Sequence, residues 1–287
     1  MAPNRDIDDF LKGYSKLETP DERMDSKVEG TLLFDRGLKE YEKLLQNEDL
    51  FKIPSPLDKL DAILTPQQIN SFLQSTIRYE QNENYICYTG AFISRLMQNS
   101  YNARHNGFFF NTSALKEIDN MAYKIKGTHL NPIRVKIEGN VGTFCGQNSQ
   151  HVSLDITGEV SESCGQLAKN IEVRIDGNSG PKCGLNSIDS KFMITGDAEF
   201  SLGNSSVNCE FILKRLAEGP SGWEAKKSVF KTPNSYSLEV FKKSVICGLG
   251  NKIYFIKPDG KEKRIWRMRD IIQPIWGTRW QNNIYIY

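Results

Sequence analysis

The residues best suited to binding chemistry lie between positions 242 and 287, where 10 Lys and Arg residues stand against 3 Asp and Glu. The candidate nucleic-acid-binding residues are Lys252, Lys257, Lys261, Lys263, Arg264, Trp266, Arg267, Arg269 and Arg279. Further aromatic side chains among them are Tyr254, Phe255, Trp276 and Trp280. Cations neutralise phosphates and rings stack on bases, the combination that sequence-tolerant binding of RNA or single strands uses. A solvated or protein-docking basic face over a small aromatic core is the alternative, and the sequence leaves both open.

Elsewhere the sequence carries no arrangement typical of catalysis or metal binding. His105, His129 and His151 have no partner at ligand spacing, and there is no His-Glu-x-x-His or Cys-x-x-Cys motif. The glycines at 248 and 250 precede a lysine, but they lack the frame of a phosphate loop and precede a predicted strand. We therefore expect a protein that is not an enzyme, with no catalytic residues, no metal site and no cofactor.

A column of cysteines is the other feature with chemical potential. Cys145, Cys164 and Cys183 follow one another at a constant 19-residue step, and Leu202 takes the fourth place. Thiols at equivalent positions of stacked strands would lie about 5 Å apart, close enough for a disulfide or a shared metal on distance alone. A buried free cysteine also behaves as a small hydrophobic side chain, and Leu202 favours that interpretation. We expect a packing ladder, with a redox or metal role as the alternative.

The cysteines belong to a repeat that organises the middle of the chain. Two glycine series and the apolar strand positions keep the same 19-residue step. The first glycine series is Gly139, Gly158, Gly177 and Gly196, the second is Gly146, Gly165, Gly184 and Gly203, and one apolar series is Ile137, Ile156, Ile175, Ile194 and Leu213. Repeats of this length indicate stacked units that cannot bury their apolar faces alone. The sequence predicts a parallel β-solenoid over residues 131–215, with about four repeats.

Two segments of the repeat resemble a known family. Residues 139–146, GNVGTFCG, and 177–184, GNSGPKCG, are similar to the GXGXG-type β-helix at the C-terminal end of the glutamate synthase large subunit and in a formylmethanofuran dehydrogenase subunit. Ser161 and Glu199 replace the middle glycine in the second and fourth units. The resemblance covers only residues 133–213. It implies a structural spacer without catalytic residues of its own.

The flanking segments predict helices before the repeat. Residues 1–36 are interpreted as an acidic, partly flexible arm, with a solvated tail as the alternative. Residues 37–130 are interpreted as a helical module, with helices over 37–47, from Thr65, over 90–103 and from Ser113. Their expected buried positions are Leu38, Tyr41, Leu44, Leu45, Ile69, Phe72, Leu73, Ile77, Phe92, Ile93, Leu96, Met97, Leu115, Ile118 and Met121. Phe108, Phe109 and Phe110 either pack between this module and the repeat or form a binding surface.

After Leu213 the repeat is expected to stop, with a break at residues 219–222. Residues 223–287 are interpreted as a small basic aromatic α+β module. It contains a helix over 235–245, a β-hairpin over 252–269 that turns at Pro258, Asp259 and Gly260, and a last strand over 283–287. The fold class predicted is therefore α+β multidomain: a helical N-terminal module, a central parallel β-solenoid with 19-residue rungs and a small α+β C-terminal module.

The charge distribution completes the functional hypothesis. Residues 1–66 carry 10 Lys and Arg against 15 Asp and Glu, so the acidic and basic ends are expected to have different partners. No apolar run approaches the roughly 20 residues of a membrane span, and the cysteine pattern favours the cytoplasm. We expect a scaffold that contacts RNA or a ribonucleoprotein, or another protein, without a membrane. A non-catalytic structural subunit of a larger enzyme complex is the alternative.

Overall fold

The computed structural model describes residues 25–46, 57, 60–245 and 248–266 of the 287-residue chain. In this described part three α-helices come first: α1 spans Asp25–Leu45, α2 spans Pro66–Ser75 and α3 spans Tyr85–Asn102, with a 3-10 helix at Thr76–Tyr79 after α2. A fourth helix, α4, spans Ser235–Ser244 and lies between two strands. Among the helices described, none combines the length and apolar character needed to cross a bilayer.

Helix α2 begins after Thr65, as the sequence predicts. The Thr65 hydroxyl accepts a hydrogen bond from the Gln68 backbone N–H, and the Gln68 side chain accepts one from the Thr65 N–H. This capping box satisfies two N–H groups that the helix leaves unpaired, and loss of such a cap costs about 0.5–2 kcal/mol. Phe72 is buried as predicted, but Ile77 is 46% exposed. The α-helix ends at Ser75, so Ile77 leaves the apolar stripe.

The other two early helices begin before their predicted starts. Helix α1 begins at Asp25, whereas the sequence predicted a start at residue 37, and α3 begins at Tyr85 rather than near Gly90. Gly90 lies inside the helix. A Cβ there would lie 2.0 Å from the carbonyl oxygen of Asp119, so only glycine fits at this position. Close approach to a neighbouring segment, and not a helix boundary, therefore accounts for this glycine.

The strands form one nine-stranded sheet among the described residues, in sequence order. They are β1 Gly107–Asn111, β2 Ile133–Glu138, β3 Val152–Thr157, β4 Glu172–Ile175, β5 Lys191–Ile194, β6 Glu210–Leu213, β7 Val229–Thr232, β8 Lys252–Ile256 and β9 Glu262–Trp266. Strands β1 to β8 pair in parallel, and β9 pairs antiparallel with β8. From β2 to β7 each pairing keeps the 19-residue step, for example Val173 with Phe192. The predicted parallel solenoid is confirmed.

The two glycine series serve different purposes. A Cβ on Gly177 would lie 2.2 Å from the carbonyl oxygen of Gly158, one rung below, so the first series lets successive rungs approach. Gly184 has φ +67 and lies against the Phe211 ring, so the second series supplies a left-handed corner over the core.

Inside the solenoid, equivalent side chains stack as ladders. Phe192, Phe211 and Phe230 stack with ring centroids 5.0 Å apart at each step, and all three are buried. On the outside, charges of opposite sign face each other across the rungs: Lys191 lies 3.7 Å from Glu172 and 4.0 Å from Glu210. Opposite charges that face each other on neighbouring strands stabilise the stacking of the rungs.

The repeat does not stop at Leu213. Strand β7 continues it in register, with Phe211 beside Phe230, and the Ala198–Ala217 bridge keeps the same 19-residue step. The segment 219–222 is therefore a rung corner and not a break. The step from Val229 to Lys252 is longer because α4 is inserted there, and Phe241 of α4 packs on Phe230 with centroids 5.4 Å apart.

The helix predicted after Ser113 is wrong. Residues 113–125, all within the described part, form turns in which Asn120, Ala122 and Lys124 have φ of 62, 56 and 56. Ile118 and Met121 are buried as expected, but they belong to an irregular first rung, since the Met121 carbonyl accepts from the Gly146 N–H. Apolar spacing alone does not separate such a rung from a short helix.

The three consecutive phenylalanines form most of β1. Phe108 and Phe110 point inward and are fully buried, while Phe109 points outward beneath the Lys136 ammonium, 5.7 Å from the ring centre. Helix α2 lies beside this first strand, where the Gln74 side chain donates to the Asn111 carbonyl. Of the two interpretations of these phenylalanines, packing between the helices and the first rung describes their environment. The helices thus cover a sheet end that would otherwise be open.

Candidate nucleic-acid interface

The basic residues predicted to bind nucleic acid lie on a β-hairpin that ends the described sheet. Strands β8 and β9 are joined by a tight turn, in which the Lys257 N–H donates to the Lys261 carbonyl and the Gly260 N–H donates to the Lys257 carbonyl. The turn predicted at residues 258–260 is confirmed. The glycines at 248 and 250 precede a strand, as expected, and not the helix that a phosphate loop requires.

The hairpin brings together six of the nine predicted residues. Lys252, Lys257, Lys261, Lys263 and Arg264 are all exposed, and Trp266 ends β9 opposite Ile253. The remaining predicted residues and features lie outside the described residues; they are Arg267, Arg269, Arg279, Trp276, Trp280 and the strand over 283–287.

The hairpin keeps a net positive charge after its ion pairs are counted. Asp259 pairs with Lys261 at 3.5 Å, and Glu262 pairs at 2.7 Å with Lys231, which belongs to β7. Both carboxylates of residues 252–266 are thus engaged by other cations. Lys252, Lys257 and Lys263 keep the net positive charge that attracts phosphate.

The aromatic residues of the hairpin divide between its two faces. Ile253 is fully buried and Phe255 packs against the core, so one face is structural. Tyr254 is half-buried on the other face, with the Lys231 ammonium 5.6 Å from its ring centre. The small-core interpretation therefore accounts for Phe255, whereas Tyr254 stays at the surface among cations.

Lys231 fixes the hairpin to the solenoid. Its ammonium donates to Glu262 of β9 and also lies 2.8 Å from Glu210 of β6, so one cation joins three strands. Burial lowers the pKa of Lys231, but the bonds to Glu210 and Glu262 outweigh burial, and its pKa is raised overall. The clamp thus adds to the pairing of β8 with β7, which already joins the hairpin to the solenoid.

We expect Lys231→Met to loosen the hairpin and to lower the free energy of unfolding by about 1.5–3 kcal/mol, since two charged hydrogen bonds are lost. Because the folded-state pKa is raised, this stabilisation is complete below the ordinary lysine pKa and is lost only as pH rises through the raised one. Between pH 7 and 9 the difference between the two proteins should therefore be constant. Hydrogen exchange of the β9 amides measures the loosening. Lys214→Met, at an exposed position, is the control, and equal exchange in both variants would contradict the clamp.

The cysteine column lies in the interior of the solenoid. Cys145, Cys164 and Cys183 are free and buried. Hydrogen bonding within the column, together with burial, raises the pKa of Cys164 and of Cys183 well above the ordinary thiol value. The thiolate is the nucleophile and metal ligand, so these conditions oppose both roles. Across residues 25–46, 57, 60–245 and 248–266, no group of three or more His, Cys, Asp and Glu is arranged to hold a metal ion.

Two histidines are closer than the sequence suggested. The rings of His129 and His151 are 6.2 Å apart and edge to face. Their separation along the chain matches neither a ligand motif nor the 19-residue step. The loop that brings them together is inserted into the first rung, and an insertion has no periodic signal.

Comparisons with known proteins identify no relative of this chain. No protein-family model, curated protein or solved structure matches this chain. Inference about function therefore rests on the chemistry of the chain itself.

Proposed function

We propose that this protein is a non-enzymatic scaffold that contacts RNA or a ribonucleoprotein through its basic hairpin. The observation that carries the proposal is the grouping of Lys252, Lys257 and Lys263 on a hairpin whose two carboxylates are engaged by Lys261 and Lys231. The half-buried Tyr254, which pairs with Arg264 across the hairpin, adds a ring on which a base can stack. Such a surface binds phosphate chains without reading their sequence.

The solenoid serves as the spacer in this proposal. Six strand steps separate β2 from β8, which is about 29 Å at the usual spacing of paired strands. Continuous hydrogen bonding and ladders such as Phe192–Phe211–Phe230 support a stiff rod. We further propose that the acidic arm and helical module engage a protein partner at the other end. The free thiols support a cytoplasmic setting, where cysteines stay reduced.

RNA binding by the hairpin predicts a strong effect of charge reversal. Lys257→Glu with Lys263→Glu should weaken binding of a labelled oligouridylate at least tenfold, because two phosphate contacts become repulsive. The slope of log affinity against log salt should fall in magnitude by about 1.4, at about 0.7 per single-strand phosphate contact. Fluorescence anisotropy over a salt series measures both quantities.

The matched control reverses two exposed cations away from the hairpin, Arg134→Glu with Lys169→Glu, and changes the net charge equally. This control should bind oligouridylate nearly as the parent protein does. Equal weakening in both double variants would show that binding follows net charge alone. The RNA proposal would be contradicted if the parent protein showed no measurable binding.

A non-catalytic subunit of a larger enzyme complex is the second candidate. It is favoured by the way the first glycine series works: rungs meet at Gly158 and Gly177, and Gly177 belongs to one of the two segments that resemble GXGXG-type β-helices. A native pull-down, with and without nuclease, separates the two. A stoichiometric protein partner that survives nuclease supports the subunit, and recovery of RNA that nuclease removes supports the scaffold.

A further inference from the structure

A groove of about 620 Å³ runs along one corner of the solenoid, within the size range of ligand sites. It follows the residues that precede strands β3 to β7, one from each rung. These corner residues are His151, Asn170, Asp189, Asn208 and Lys227. Their φ values lie between 51 and 55, so the left-handed backbone alone accounts for the choice of Asn and Asp. A ligand site here therefore requires a feature that rung stacking does not explain.

That feature is an inserted loop that forms one end of the groove. Lys126 pairs with Gln150, whereas Ile133 pairs with Val152 at the regular 19-residue step. The first of these two offsets is longer by five positions, so residues 127–132 contain five extra residues. In repeat proteins, insertions of this kind often mark the binding face. The loop carries His129 and Pro132 into the groove wall.

The loop is held in a defined position. The Tyr101 hydroxyl donates to the Asn131 carbonyl at 2.8 Å, and the Asn106 amide donates to the Asn131 side-chain oxygen at 2.6 Å. Leu130 at the tip is 93% exposed. The end of the groove is thus preorganised, which lowers the entropic cost of binding.

The groove presents side chains to a ligand, whereas the backbone N–H groups at its corners are already hydrogen-bonded. The Asn170 N–H donates to the Ile188 carbonyl and the Asp189 N–H donates to the Val207 carbonyl, so the next rung uses the corner amides. A peptide therefore cannot add there as a further strand, because that mode depends on free main-chain groups.

The carboxylates along the groove each have a cation or an amide as a partner. Glu172 lies 3.7 Å from Lys191, Glu210 lies 2.8 Å from Lys231, and Asp189 accepts from the Asn208 amide at 2.7 Å. Three carboxylates along the path would repel a phosphate chain, and Lys191 and Lys231 are paired with two of them. A ligand without charge fits this lining better than a nucleic acid does.

We propose that this groove binds a neutral, linear oligosaccharide. Each rung advances about 4.8 Å, roughly the length of one sugar unit, and three successive rungs present an amide or carboxylate group. Asn170, Asp189 and Asn208 supply donors and acceptors for hydroxyl groups, which act as both. Pro132 supplies apolar surface at the end wall for the less polar face of a sugar ring.

The test is a glycan array probed with the full chain, followed by calorimetric titration of the best neutral glycan. Asn170→Gly with Asn208→Gly removes two groove amides and keeps the left-handed corners, since glycine adopts that backbone freely. Asn148→Gly with Asn186→Gly makes the same change at left-handed positions outside the groove. Heparin oligosaccharide and an uncharged extended peptide are titrated alongside.

The groove variant should lose at least tenfold in affinity for the neutral glycan, and the control variant should match the parent protein. The proposal is overturned if no neutral glycan on the array binds, or if both double variants lose affinity equally. It is also overturned if the groove variant instead loses binding of heparin or of the peptide. Thermal unfolding of each variant shows whether a loss reflects misfolding.

Discussion

Replacing Gly177 with alanine is expected to lower the free energy of unfolding by at least about 3 kcal/mol, the upper end for inserting atoms into packed structure. The added Cβ would lie 2.2 Å from the carbonyl oxygen of Gly158, and its next nearest contacts are also backbone atoms. Backbone held by the rungs on both sides cannot move aside as a side chain can. Urea unfolding followed by circular dichroism measures the change.

Gly37→Ala is the matched control for this substitution. Gly37 lies inside α1, where a Cβ would meet only a ring carbon of Phe72 at 3.4 Å. Alanine in a helix interior is favoured by about 0.5–1 kcal/mol over glycine, so this variant should be as stable as the parent protein or more stable. A loss below about 1 kcal/mol for Gly177→Ala would show that the rungs do not meet as described.

Phe211→Ala is expected to cost about 3–5 kcal/mol, the usual range for a buried phenylalanine. Phe211 is the central ring of the stack, 5.0 Å from Phe192 on one side and 5.0 Å from Phe230 on the other. Its removal leaves a cavity between two rungs that cannot collapse, because the strand spacing is set by backbone hydrogen bonds. Thermal and urea unfolding should both show the loss.

Phe200→Ala makes the same change at a neighbouring position where the ring is 49% exposed. A surface substitution there should stay within about 0.5 kcal/mol of the parent protein. If the two variants were equally stable, the interior column of rings would not be what holds these rungs together.

The regular part of the fold could be predicted because its cause repeats. Glycines at rung contacts, apolar strand positions and the cysteine column all recur at the 19-residue step, so each unit confirms the register of the next. The hairpin was similarly accessible, since Asp259 and Gly260 favour the turn that the structure shows.

The ends of the solenoid were harder to predict, for physical reasons. At the C-terminal end the strand pairing persists although the first glycine series ends, since Arg215 takes the place after Gly196. The second series continues to Gly222, which has φ 72 and belongs to the segment interpreted as a break. At the N-terminal end, turns with left-handed Ala122 and Lys124 carry no sequence signature, and apolar residues at 118 and 121 match helical spacing equally well.

The cluster of basic residues was evident from composition, but the geometry of the hairpin that carries them was not. The clamp by Lys231 joins Glu210 and Glu262, and it was not predicted because the repeat was expected to stop at Leu213, before the strand that carries Lys231. The contact of His129 with His151 was missed because it depends on an inserted loop.

Electron–electron distance measurements on spin-labelled protein test the stacked rod most directly. Labels at positions 148 and 186 lie two rungs apart, and labels at 148 and 224 lie four rungs apart, on one column of left-handed corners. A stacked rod predicts narrow distributions, with the second distance longer by about 10 Å, which is two strand spacings. Broad distributions, or no increase from the first pair to the second, would contradict it.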